Sequence, residues 1–148
     1  QDNQNRFDAL KGGLWFNSNF MVNHLLTIGV NYNYKGWNLS TNYILRSGVP
    51  YAVPSGYQII NQNAVLNYET LNSEFLPSFQ RLDASLTKRL SINQSLKMDL
   101  KIAFKNLTNR RNILERFFIY DSNSSLIKSF DRYSMVPFIN FGARLILN

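Results

Sequence analysis

The chain has 148 residues, about the length of one domain, and its 45% apolar content is that of a folded rather than a disordered protein. Its net charge of +7 would suit nucleic-acid binding, but the 16 Lys and Arg are scattered without a basic helix or dense run. That distribution favours a solvated basic surface and no nucleic-acid partner, and the absence of cysteine excludes disulfides, thiolate metal sites and cysteine nucleophiles.

The hydropathy of the chain excludes a membrane-spanning helix, since no segment stays apolar over the roughly eighteen residues that such a helix needs. A membrane β-barrel escapes this test, because only every second residue of each strand faces lipid. Aromatic residues make up 14% of the chain, which favours strands. The residues after Gln1 lack the features of a signal peptide, so the chain is expected to be processed or a fragment.

The first two predicted strands lie at residues 24–34 and Trp37–Arg46, where apolar and polar residues alternate. Their apolar faces carry Leu26, Ile28, Val30, Tyr32 and Tyr34 in the first strand, and Trp37, Leu39, Thr41, Tyr43 and Leu45 in the second. Because only Lys35 and Gly36 separate the two stretches, the sequence predicts a tight hairpin.

Three more alternating stretches are predicted at residues 80–90, 95–105 and 137–147, and a short turn at 91–94 joins the first two. Their apolar faces carry Leu82, Ala84, Leu86 and Leu90, then Leu96, Met98, Leu100, Ile102 and Phe104, then Ile139, Phe141, Ala143, Leu145 and Leu147. Only Lys88 interrupts this pattern with a charge. A membrane strand tolerates such a lysine near its turn, where the stem can extend toward the headgroups.

Strand length and loop length favour a membrane barrel over a soluble sheet, which also alternates. Each stretch has about ten residues, enough for a tilted strand to cross the hydrocarbon layer. The connections alternate between short turns and segments of about thirty residues at 47–79 and 106–135, as in barrels with short periplasmic turns and long extracellular loops. Tyr32, Tyr34 and Trp37 cluster at one short turn, where an interfacial aromatic girdle would lie. A soluble β-sandwich or small-barrel binding module is the alternative.

The second long segment is predicted to contain a hairpin of its own. Residues 116–121 and 126–131 flank the turn-forming residues 122–125, which are Ser-Asn-Ser-Ser.

Several segments, in order, resemble the TonB-dependent outer-membrane receptors of Bacteroidetes-type bacteria. They are Gly12-Gly13-Leu14-Trp15-Phe16 before a strand, Leu45-Arg46-Ser47-Gly48-Val49-Pro50-Tyr51 after one, Leu76-Pro77-Ser78-Phe79-Gln80-Arg81-Leu82-Asp83 leading into the next, Phe104-Lys105-Asn106-Leu107-Thr108-Asn109-Arg110-Arg111-Asn112 after the penultimate strand, and Val136-Pro137-Phe138 before the last. Together these segments span nearly the whole chain.

The resemblance implies an all-β fold, an antiparallel transmembrane β-barrel of roughly 22 strands with a plugged lumen. Residues 1–148 would supply its last five or six strands, without the plug domain. The implied location is the bacterial outer membrane. The implied partners are outer-membrane lipid and lipopolysaccharide, the remainder of the barrel and the plug, the energy-coupling TonB protein through an N-terminal region that this chain lacks, and an unknown small ligand.

No catalytic, cofactor or metal site is predicted, and the chain is not expected to be an enzyme. His24 lies at a strand start with no carboxylate or nucleophile nearby in sequence, so an outer-membrane barrel enzyme is the least favoured interpretation. Asp83 and Asp99 lie among Arg81, Arg89, Lys97 and Lys101 on polar strand faces, where ion-pair networks are expected. Asp121-Ser122-Asn123 lacks the Gly and Glu of a calcium loop and is predicted to be a turn.

The long segments carry the candidate contacts for an extracellular ligand or lipopolysaccharide. Tyr51, Tyr57 and Tyr68 in the first segment can stack on a ligand, and Arg110, Arg111 and Arg116 in the second can bind phosphate or another anion. The alternative is that the arginines are simply solvated and the tyrosines pack their own loop.

Overall fold

The structure, a computed structural model, describes residues 16–147. Of these residues 64% lie in strands and none in a helix, which confirms the predicted all-β fold with antiparallel sheets. Among them there is accordingly no helix long and apolar enough to cross a membrane. Residues 12–15 of the first resembling segment, and Asn148, lie outside the described part of the chain.

Eleven strands form four sheets. In chain order they are β1 (Leu25–Tyr34), β2 (Trp37–Arg46), β3 (Pro50–Tyr51), β4 (Gly56–Ile60), β5 (Asn63–Asn67), β6 (Glu74–Phe75), β7 (Phe79–Ser91), β8 (Leu96–Lys105), β9 (Ile113–Asp121), β10 (Leu126–Tyr133) and β11 (Phe138–Leu147). The described chain divides into two compact units. One contains residues 16–21, Gly48–Leu76 and Glu115–Asp131, and the other contains Val22–Ser47, Pro77–Leu114 and residues 132–147.

The large sheet has five strands in the order β1-β2-β7-β8-β11, with every neighbouring pair antiparallel. These are the five predicted strands, and their bounds agree with the sequence prediction to within one residue. The predicted turns at Lys35-Gly36 and after Ser91 are confirmed. In the Lys35-Gly36 turn both residues have positive φ, 45° at Lys35 and 76° at Gly36, which suits the twist of a two-residue hairpin.

Strand register gives this sheet one apolar and one polar face. Leu39 lies opposite Tyr32 and Leu86, Leu86 opposite Ile102, and Ile102 opposite Phe141. Side chains alternate along each strand, so these pairings place all five predicted apolar series on the same face. Apart from Ile44, Ala103 and two glycines, Gly29 and Gly142, polar residues fill the middle of the opposite face. The sheet is open, with β1 and β11 as its edges, and no pairing among the described residues closes it.

The other unit contains three small antiparallel ladders, β3–β6, β4–β5 and β9–β10. The hairpin predicted around residues 122–125 is confirmed as β9–β10. The hairpin β4–β5 was not predicted, because its turn residues, Asn61 and Gln62, are not a familiar turn pair. Both nevertheless adopt positive φ, 49° and 66°. In the β3–β6 region a Cβ at Gly48 would lie 1.5 Å from the Leu76 carbonyl oxygen, so only glycine fits there.

Two buried asparagines fix the segments that follow β8. Asn112 substitutes for a neighbouring strand, because its Oδ1 accepts a hydrogen bond from the Gln80 amide at 2.9 Å and its Nδ2 donates to the Gln80 carbonyl at 2.8 Å. Asn106 has a φ of 55° and is 1% exposed. Its Nδ2 donates to the carbonyls of Arg110 and Met135, and its amide donates to Asp83 Oδ1. These bonds tie residues distant in sequence into one loop structure.

We expect Asn112→Ala to lower the free energy of unfolding by about 1–3 kcal/mol for the Gln80 backbone groups that it leaves without a partner. Denaturant unfolding of the refolded protein measures this change. Asn140→Ala is the matched control, because Asn140 is exposed on a strand of the same unit. Equal stability losses in the two variants would contradict the role assigned to Asn112.

Candidate functional site

Much of the apolar face of the large sheet is exposed. Val30 is 58% exposed, Leu100 42% and Phe141 74%, and the other exposed members are Leu26, Ile28, Tyr32, Tyr34, Trp37, Leu39, Leu90, Ile139, Leu145 and Leu147. Other members of this face, such as Leu86 and Ile102, are half-buried. Among the described residues the only buried large apolar side chain is Leu76, which belongs to the other unit. The described sheet therefore leaves many of its apolar side chains accessible instead of burying them in a core.

The polar face contains two buried carboxylates, Asp83 and Asp99. Asp99 is 6% exposed and lies directly opposite both Arg89 and Arg144. Arg89 forms a bidentate pair with it, with Nε at 2.7 Å from Oδ1 and Nη2 at 2.9 Å from Oδ2, and Arg144 Nη2 donates to Oδ2 at 2.9 Å. Bidentate arginine–carboxylate pairs combine geometric specificity with strong hydrogen bonds. Asp99 therefore links three strands, β7, β8 and β11.

A second ion-pair cluster surrounds Asp83, which is 7% exposed. Arg81 Nε lies 3.2 Å and Lys105 Nζ 3.0 Å from Asp83 Oδ2. The expected ion-pair networks are thus confirmed, with Arg81 and Arg89 among the partners. Within the described sheet the other partners are Lys105 and Arg144, rather than the expected Lys97 and Lys101. Register explains the difference for Asp99, because Lys97 and Lys101 lie two residues away along its own strand while the arginines face it.

Near the Lys35-Gly36 turn the polar face contains a cavity of about 420 Å³, whose lining includes Asn38, Arg89, Asp99 and Arg144. The Asn38 side chain donates hydrogen bonds to the side-chain oxygens of Asn31 and Asn33 on the adjacent strand. The amides and paired charges make the lining of this cavity hydrophilic, so water can fill it.

The candidate residue Arg116 is held by its own unit. Its guanidinium forms a bidentate pair with Asp131 at 2.6 and 2.8 Å and donates to the Tyr51 hydroxyl at 3.1 Å. These bonds, first with Asp131 and then with Tyr51, raise the pKa of Arg116 above its usual range. Tyr51 also stacks on Phe118, with ring centroids 6.4 Å apart. Tyr51 and Arg116 thus meet, in a cluster that satisfies most of the guanidinium.

Tyr57 packs against Tyr120, with ring centroids 4.3 Å apart, and its ring remains 37% exposed. The hydrogen bond with Tyr120, followed by repulsion between the two ionised hydroxyls, raises the pKa of Tyr57. Tyr68 is 41% exposed in the segment between β5 and β6. Sequence reasoning missed Phe118 and Tyr120, although the alternation of Arg116, Phe118 and Tyr120 along one strand face was a usable signal.

Arg110 and Arg111 belong to the unit of the large sheet. Arg110 Nη2 donates to the Ser78 carbonyl at 3.1 Å, and the Arg111 guanidinium lies 4.7 Å from the ring centroid of Tyr133. Arg111 is exposed and Arg110 half-buried, so Arg111 has the greater surface for an external anion. No group of three or more His, Cys, Asp or Glu within residues 16–147 is arranged to hold a metal ion.

No model of a known protein family matches the chain. Comparisons with curated proteins and with solved structures found no match either.

Asp121 closes the tip of the β9–β10 hairpin and provides a pH-dependent contact. Its carboxylate pairs with the Lys128 ammonium and accepts hydrogen bonds from the Ser124 hydroxyl at 2.8 Å and the Asn123 amide at 3.0 Å. These contacts, with Lys128 first, lower the pKa of Asp121 from 3.8 to about 2. The predicted turn at residues 121–123 is thereby confirmed.

We expect the Asp121 carboxyl to titrate near pH 2. Because its folded pKa lies below the unfolded value, its stabilising effect is present above pH 3.8 and is lost as the pH falls through about 2. The carboxyl ¹³C shift of the protein between pH 5 and 1.5 measures this, with Asp121→Asn identifying the signal. Lys128→Gln should raise the midpoint. A wild-type midpoint at or above 3.8 would contradict the assigned contacts.

Proposed function

We propose that this chain is the C-terminal part of the barrel wall of an outer-membrane TonB-dependent receptor, which takes up a scarce ligand by active transport. The observation that carries the proposal is the polarity of the five-stranded sheet, with apolar side chains exposed on one face and the carboxylates of Asp83 and Asp99 buried in ion pairs on the other. Lipid on one side and a watery lumen on the other are the surroundings in which both faces are stable.

The apolar face is too extensive for a soluble monomer. Contiguous exposed apolar patches on such proteins rarely exceed on the order of a few hundred Å², whereas here the patch runs across five strands. The strand length also fits. Ten residues, as in β1, β2, β8 and β11, extend about 33 Å, and a tilt of about 40° reduces this to about 25 Å, the height of the apolar band of a membrane barrel.

The connections support the same proposal. One end of the sheet carries the turns at Lys35-Gly36 and after Ser91, while the chain leaves the opposite ends of the strands through residues 47–78 and 106–137. Those segments contain the small hairpins and the aromatic and basic residues that would meet an external ligand. The short turns would then lie in the periplasm and the hairpins outside the cell.

The resemblance to TonB-dependent receptors supports the transport step. In such a receptor the loops and plug capture the ligand, and energy from the inner membrane displaces the plug. The N-terminal region of the full-length receptor would contact the energy-coupling protein. The arginine–aspartate pairs of the polar face would line the lumen beside the plug, where water solvates their charges.

We expect Leu100 to face lipid and Lys101 to face the aqueous lumen, since the register assigns them to opposite faces. Leu100→Cys and Lys101→Cys, each carrying a spin label in the full-length protein in bilayers, separate the two environments. Lipid-soluble oxygen should relax the label at 100, and a water-soluble nickel chelate the label at 101. The reversed pattern would show an inverted register. A chelate-accessible label at both positions would refute the membrane location and favour a soluble β-sandwich.

We also expect cells lacking this receptor and cells lacking the energy-coupling protein to fail to grow on the same limiting nutrient, screened as an iron chelate, vitamin, peptide or glycan.

Replacing Gly56–Asn67 by a short Gly/Ser turn should lower growth on that nutrient, because the hairpin with Tyr57 is lost. Replacing residues 92–95 at the opposite end of the strands by another short turn is the control. Full growth of the hairpin variant, at a normal level of protein, would exclude this hairpin from ligand capture.

A further inference from the structure

A depression of about 700 Å³ lies in the exposed apolar face of the large sheet. Register explains its shape. Trp37, Lys88, Leu100 and Ala143 form one row across four strands, and Leu39, Leu86, Ile102 and Phe141 form the next. Ala143 is small between larger neighbours, so the surface is hollow beside the Phe141 ring. The depression has the volume of a ligand site and walls suited to a hydrocarbon chain.

One end of this depression carries a positive charge. Lys88, which lines it, is the only charged residue on the apolar face of the described strands. Its Nζ lies 4.7 Å from the ring centroid of Trp37 and donates to the carbonyl of Lys35 at 3.1 Å. The ammonium is thus held at the Lys35-Gly36 turn. With one hydrogen bond to the turn, Nζ retains donors for another acceptor.

A second ammonium belongs to the same turn. The Nζ of Lys35 lies 5.3 Å from the ring centroid of Tyr34, and the Tyr34 ring stacks on Tyr32. The turn therefore combines two ammonium groups with three amphipathic aromatic rings, counting Trp37. Rings of this kind favour the headgroup level of a bilayer, and lysines there attract anionic lipids. Acidic side chains do not line the depression.

We infer that this depression is a binding site for an anionic phospholipid of the periplasmic leaflet. One acyl chain lies along Leu86, Leu100 and Phe141, and the phosphate accepts hydrogen bonds from the ammonium groups of Lys88 and Lys35. The inference rests on the proposed membrane location, which places the short turns on the periplasmic side. A second copy of the chain fits this site less well, because it would bring a like-charged Lys88 against the first.

The test uses the full-length receptor in detergent and native mass spectrometry. It is titrated with phosphatidylglycerol, which is anionic, and with phosphatidylcholine of the same acyl chains, which is neutral overall. We expect phosphatidylglycerol to bind about thirtyfold more tightly, because each of the two lysines favours a lipid with net negative charge over a neutral one. The double variant Lys35→Gln/Lys88→Gln should remove this preference. Ala143→Leu should fill the depression and weaken both lipids.

Lys97→Gln is the matched control, because Lys97 is a lysine of the polar face that does not line the depression. It should retain the full preference. Equal binding of the two lipids by the wild type would overturn the inference, as would an unchanged preference in the double lysine variant. Failure here with a lipid-exposed label at position 100 would overturn the lipid site alone, whereas an aqueous label at 100 would overturn the membrane location itself.

Discussion

Strand register is the constraint on which the rest of the structure depends. Successive side chains point to opposite faces of a strand, so a shift of one residue between β7 and β8 would move Lys97, Asp99 and Lys101 onto the face of Leu86. The observed pairing instead places five apolar series on one face. The one charged residue among them is Lys88, whose ammonium donates a hydrogen bond to the Lys35 carbonyl at the Lys35-Gly36 turn. The same choice of register, repeated at four pairs of neighbouring strands, gives the sheet one apolar and one polar face.

The ion pairs on the polar face reinforce that choice. Asp99 lies opposite Arg89 on one side and Arg144 on the other, so a slipped register would leave a carboxylate and two guanidinium groups without partners. The cost of an unpaired, partly buried charge exceeds the modest value of an exposed pair. These ion pairs therefore contribute little to the free energy of unfolding. Their main effect is to make wrong strand registers unfavourable, so they help the sheet to fold in a single register.

The sequence predicted the strands of the large sheet well because alternation is a local signal, visible within ten residues of one segment. The bounds of these strands, their apolar and polar faces and both short turns followed from this alternation. The pairing of Asp99 with Arg144, the hydrogen bonds of Asn112 with the Gln80 backbone, and the contact of Arg116 with Tyr51 did not. Each of these depends on residues brought together across the chain, 65 positions apart for Arg116 and Tyr51, and no local pattern encodes them. The small ladders β3–β6 and β4–β5 were missed because their strands are too short to alternate visibly.

The edges of the large sheet complete the physical argument. β1 and β11 each present a row of backbone amide and carbonyl groups with no partner strand beyond them. Water satisfies such groups on a soluble edge, but in hydrocarbon every one of them needs a hydrogen-bond partner, and only closure of the sheet supplies it. Under the proposed membrane location, an apolar face in contact with lipid therefore requires strands that pair with β1 and β11. A closed barrel would supply both partners and leave no strand edge in hydrocarbon.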